Sequence, residues 1–352
     1  MTTDLTTGGG DIGAGGGRTR LRRMRPWFIW VACFLLTWVL LVITQGWWER
    51  IAEHWPIAVA MAIGSYVAGS TPMGGGTIGF PVLVLLFDQP ADFGRQFSFL
   101  IQSIGMTSAA IYIICTGRAL AWRVMLWAGG ASCVSLTLTH YLLYPHIAGT
   151  AVKITFACIW GGFGLVTLVK LRELLAHHHA PTLNPKCDAV LGLIAGLIGG
   201  VASGLTGVGI DMVIYTALVM VYRADLRPAI ATSVILMAWN SIVGTTLCVI
   251  DGSVEQEVFS NWLAASPVVL FGAPIGAYMV SRIPRGPTLV FVSLLCVLQL
   301  FWTISRVGAT TKLLLIVTAA VAGMNLVFHL MHAFGRRFRP DPGEEGKSLL
   351  EP

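Results

Sequence analysis

The residues with the most to offer chemically are glycines set where a helix would otherwise run unbroken. Gly74, Gly75 and Gly76 fall within GSTPMGGGTIGFP, residues 69–81, and Gly207 and Gly209 fall within GLTGVGID, residues 204–211. Glycine clusters flanked by proline do not persist in a helix interior. Broken backbone at membrane depth exposes N–H and C=O groups that lipid cannot satisfy, so it is tolerated only against protein or a cavity. Where the chain resumes, at Thr77 and at Ile210, free N–H groups and the positive end of a helix dipole favour an anion. The breaks therefore predict a cavity with an anion site at Thr71, Gly74, Gly75, Gly76 and Thr77 on one side and Thr206, Gly207 and Gly209 on the other.

Neighbouring polar side chains extend this set. Ser98 and Ser233 stand near helix starts, with Gln102, Trp239 and Asn240 one or two turns further on, and such groups can complete the hydrogen-bond shell of an oxygen-rich ligand. Asp211 follows Gly209 directly. As a carboxylate it repels an anion and as an acid it does not, which would couple proton and anion movement; the alternative is a helix cap. Arg95 reads as a snorkelling interface residue or as an electrostatic funnel, and His140 and Lys153 as snorkelling. His177, His178 and His179 read as a solvated linker. Gly196, Gly200 and Gly204 form a small-xxx-small ladder suited to close helix packing.

Other chemistries fare poorly. Gly74, Gly76 and Gly79 make a formal G-x-G-x-x-G, but no soluble βαβ unit surrounds it and no P-loop lysine follows. The seven cysteines form no CxxC pair, which predicts neither a zinc site nor a disulfide framework. No paired carboxylates, nucleophile triad or metal cluster suggests catalysis, and no cofactor is expected.

The elements that must hold these residues are apolar helices. Of 352 residues, 55% are hydrophobic and only 11% charged, against about 25% charged in soluble domains. The expected fold is all-α and polytopic, with about 10–12 membrane segments. Hydropathy divides the chain into a disordered basic tail at 1–26, an extra N-terminal helix at 27–46, a first repeat at 55–169, a cytoplasmic linker at 170–188, a second repeat at 189–304, a C-terminal helix at 310–331 and a cytoplasmic tail at 332–352. Segments 77–88 and 209–222 are short for a bilayer, and each follows a break.

Sliding the chain by 135 positions superimposes Gly64 on Gly199, Gly69 on Gly204, Thr71 on Thr206 and Ser98 on Ser233. Five segments per copy reverse the second copy, which predicts inverted-topology repeats with broken or re-entrant helices, the pattern of secondary transporters. The net charge of +6 is gathered mainly on one side of this layout, from Arg18 through Arg118, Arg227 and Arg282 to Arg337. That is the positive-inside pattern rather than a nucleic-acid surface, and it puts both termini in the cytoplasm.

GSTPMGGGTIGFPVLVLL, GLTGVGIDMVIY, RPAIATSVILMAWNS and FGAPIGAYM resemble the repeated segments of the TauE/SafE family of sulfite and sulfonate exporters, over residues 57–304. Pro72 replaces the leading glycine of the first copy, and Ile210 and Asp211 replace the last two of the second. The resemblance implies a transporter of the bacterial inner membrane that moves small sulfur-containing anions without ATP. The expected partners are a small anionic solute and membrane lipid, with a homodimer left open; a passive anion channel of the same architecture is the alternative.

Overall fold

The computed structural model describes residues 22–71, 79, 81–175, 184–280, 282, 285–308 and 310–338. Helix α1 (Arg25–Gln45) ends at Gly46, whose φ of 66° suits a residue without a side chain. Helix α2 (Trp55–Ser70) stops at Thr71 in extended backbone. After a π-turn at Val82–Leu86 come α3 (Ala91–Thr116) and α4 (Trp122–Leu138), the latter running into a second π-turn at Thr139–Leu143, and α5 (Gly149–Val169).

Helix α6 (Pro185–Thr206) opens with Pro185 at its first position and with Asn184 accepting from the Cys187 amide, the arrangement that suits a helix start. Gly207 and Gly209 separate it from α7 (Ile210–Val221). At 12 residues α7 is about 18 Å long, roughly half a bilayer core. Then follow α8 (Leu226–Ile250), α9 (Gln256–Met279), α10 (Arg285–Val307) and α11 (Thr311–Phe338), which continues past the boundary at 331 read from hydropathy. Among the described residues, eight helices are long and apolar enough to cross a membrane, and α2 and α7 are shorter apolar helices. This is an all-α polytopic membrane protein.

Small residues set the packing, as expected where lipid is as apolar as the side chains. Along α6, a Cβ added at Gly196 would lie 2.5 Å from Ala128 O, and one at Gly200 2.6 Å from Ser132 O, both on α4. Gly196, Gly200 and Gly204 thus serve the packing role their spacing suggests. A like seam joins α2 to α9, where Gly69 meets the Ala273 carbonyl and Gly272 meets the Ser65 hydroxyl. Helix α3 packs on both α8 and α9, α8 also on α4, and α5 on α10. The accessory helices sit outside, α1 against α3 and α11 against α5 and α7.

Candidate functional site

The second break is a compact hydrogen-bonded turn. Gly207 (φ 80°) and Gly209 (φ 124°) adopt backbone that other residues strain to reach. A Cβ on Gly207 would also lie 2.5 Å from Arg95 O. Thr206 Oγ1 bonds Ala202 O at 2.9 Å and Val208 O at 2.8 Å, and the Ile210 amide donates to Ser203 Oγ at 3.2 Å. Trp160 and Ala202 close over Gly209.

Asp211 is fully buried at the start of α7. Its Oδ1 accepts from the Met212 amide at 3.0 Å, and the amides of Gly209 and Asp211 face the same carboxyl. Its Oδ2 has no partner. The capping role is therefore present in the geometry. The same amides that would greet an anion currently face the protein's own acid.

Helix α3 presses onto this turn. Gln102 Nε2 donates to Ser98 O at 3.0 Å and approaches Gly207 O at 3.5 Å, while Ser98 Oγ donates to Gly94 O. Gln102 Oε1 is buried without a partner. Gln102 also lines a cavity of about 10 Å³ with Met61, Ser65, Ile101, Val269 and Ala273, room for about one water.

Of the residues singled out in the sequence, Ser98, Gln102, Thr206, Gly207, Gly209 and Asp211 come together. Asn240 is buried on α8, with Oδ1 accepting from Ser132 Oγ at 2.8 Å and Nδ2 unpartnered. Ser233, also on α8, donates back to Ile230 O. Thr71 is buried at the end of α2, where Oγ1 donates to Val67 O at 2.7 Å. Trp239 stands apart, 46% exposed, with Nε1 donating to Gly129 O. Gly74, Gly75, Gly76, Thr77 and the histidine tract at 177–179 lie outside the described residues.

Arg95 and His140 require a correction. Neither snorkels to an interface: Arg95 is 3% exposed and His140 8%. Arg95 Nε donates to Gly204 O at 2.7 Å, Nη1 to Asp92 Oδ1 at 3.2 Å and Nη2 to His140 Nδ1 at 2.6 Å, with the guanidinium 3.7 Å over the Tyr144 ring. Arginine can only donate, so Nδ1 of His140 accepts and Nε2–H donates to Asp251 Oδ2 at 2.6 Å. Tyr141 adds a bond to Asp251 Oδ1 at 2.9 Å. The His140 bond, and then the Tyr141 bond, hold the Asp251 carboxyl below the usual range.

Together, the spans and the buried polar turn define a multi-pass membrane protein with an interrupted helix pair, α6 and α7, in its interior. The chain belongs to the sulfite exporter TauE/SafE family, whose model matches residues 56–302. Searches of curated proteins and of solved structures gave no match. Membership makes it a membrane transporter with a small anionic solute; α1 and α11 lie outside the matched region.

Proposed function

We propose that the protein is a secondary transporter that exports a small sulfur-containing anion, of the sulfite or sulfonate class, across the bacterial inner membrane by alternating access. The observation that carries this reading is the second break itself. A membrane helix stops, turns through two glycines and restarts with amides directed at one buried acid, beside the unpartnered Gln102 Oε1. Irregular backbone of this kind has a role at a solute path and little elsewhere in a bilayer.

The inverted duplication is supported by how the helices pair. Under the 135-residue shift, α2 and α6 are equivalent, as are α3 and α8, α4 and α9, and α5 and α10. Contacts then exchange in pairs: α4 on α6 mirrors α9 on α2, and α3 on α9 mirrors α8 on α4. Position 65 corresponds to position 200. Ser65 faces Gly272 in one seam and Gly200 faces Ser135 in the other, so the bulky and the empty partner swap sides.

The substrate site comprises Thr71, Gly74, Gly75, Gly76, Thr77, Ser98, Gln102, Thr206, Gly207, Gly209, Ser233 and Asn240. Asp211 couples protons to it. As a carboxylate it occupies the amides of α7, and on protonation it gives them up to a solute anion, so proton and anion compete for one set of donors. The cavity beside Gln102 is too small for sulfite, so the α2–α9 seam parts when solute enters.

Radiolabelled sulfite in proteoliposomes tests this. Saturable flux that responds to a pH gradient is expected, and Asp211→Asn should flatten its pH dependence. Unchanged pH dependence removes the coupling role. Ohmic flux indifferent to counter-substrate replaces the carrier with a channel.

A further inference from the structure

Helix α9 contains Pro267 and Pro274. Each proline lacks an N–H and so releases the carbonyl four residues earlier, here Leu263 O and Leu270 O. Within a membrane an abandoned carbonyl is costly. Both find donors, and both lead to α1. Trp38 Nε1 of α1 donates to Leu263 O at 3.0 Å. Ser108 Oγ of α3 donates to Leu270 O at 2.7 Å, and Trp27 Nε1 of α1 donates to that same hydroxyl at 3.0 Å.

Helix α1 is otherwise poorly attached, with only 11% of its apolar window buried. Lipid gives no hydrophobic drive for it to dock, which leaves polar contacts and close packing to hold it. Those polar contacts fall on the two proline positions of a helix whose Val269 and Ala273 line the Gln102 cavity and whose Ala273 carbonyl seats Gly69 at the end of α2.

We propose that α1, which lies outside the family-matched region, is a brace that fixes the bends of α9 and thereby the wall of the solute cavity, with Trp38, Trp27 and Ser108 as positioning residues. The brace rests on the transporter reading for its consequence but not for its existence.

The test is a double-mutant cycle in the full-length protein, followed by hydrogen exchange of α9 amides and by radiolabelled sulfite flux. Trp38→Phe keeps the ring and removes the donor. It should speed exchange around residues 263–267 at least fivefold and raise the half-saturation concentration for sulfite about three- to tenfold, with the maximal rate per folded molecule within twofold. Pro267→Ala restores an N–H for Leu263 O, so Trp38→Phe should have no further effect in that background. Ser108→Ala and Pro274→Ala should couple likewise around Leu270. Additive effects on exchange would overturn the brace. So would a drop in maximal rate alone with unchanged half-saturation, the mark of lost folded protein. If the unmodified protein moves no sulfite, the transporter reading fails, and the exchange cycle alone decides on the brace.

Discussion

Helices α6 and α2 both stop in the buried interior of the protein, at Thr206 and Ser70, leaving terminal carbonyls without intrahelical partners. At α6 the Thr206 hydroxyl turns back to Ala202 O, and further donors come from another helix: Arg95 of α3 reaches Gly204 O and Gln102 approaches Gly207 O. At α2 the helix serves itself, with Ser70 and Thr71 hydroxyls both turned back to Val67 O. A buried cation thus ties the α6 end to α3 and, through His140, to Asp251. The α2 end rests instead on close packing against α9, next to the Gln102 cavity. A seam made of packing can part at lower cost than one stitched by desolvated charge, so in the alternating access proposed above the second break would be the pivot and α2 and α9 the moving parts.

The sharpest way to break this contrast is Arg95→Met. It strips donors from the buried Gly204 O and His140 Nδ1 and from the part-exposed Asp92 carboxyl, and each buried acceptor left unsatisfied costs about 1–3 kcal/mol. The melting temperature of the purified protein should fall steeply, while Thr71→Val at the other end should cost only about 1 kcal/mol. Equal losses would erase the distinction. Gly207→Ala comes next, at about 2–3 kcal/mol, because it combines left-handed backbone with a clash against Arg95 O. Gln102→Leu separates function from stability: melting should move by the equivalent of about 1 kcal/mol or less, since an unpartnered oxygen is lost along with a bond, whereas sulfite flux should fall at least tenfold.

The spans, the break between α6 and α7 and the glycine seam could be read from the sequence, because hydropathy, broken periodicity and small-residue spacing are local signals. The Arg95 network could not. Arg95 meets partners 45 and 109 residues away, and no local pattern distinguishes an arginine at a membrane edge from one folded inward. Trp239, read with Asn240 from its place one or two turns beyond Ser233, is 46% exposed where Asn240 is buried, because helical geometry turns adjacent residues about 100° apart. The two prolines of α9 were visible as Pro267 and Pro274, but the donors that answer their freed carbonyls sit far away in sequence, Trp38 225 residues from Leu263 and Ser108 162 from Leu270.

The smallest expected effect concerns pH. Asp251 is held below its ordinary range by His140 and Tyr141, so its contribution is present above about pH 4 and is lost as pH falls through the lowered value. Asp251→Asn should lower neutral stability slightly and flatten the acid limb of a melting-temperature profile by the same small amount; an unchanged neutral value with the acid limb intact would show that this charge contributes nothing.

The central claim is that an anion binds where α7 restarts, on amides that its own acid otherwise occupies. Radiolabelled sulfite counterflow in proteoliposomes, compared between the unmodified protein and Asp211→Asn across pH, tests it most directly. The account predicts saturable counterflow that strengthens as pH falls in the unmodified protein and a pH-independent half-saturation in the variant. Identical pH profiles in the two, or flux without counterflow, would contradict it.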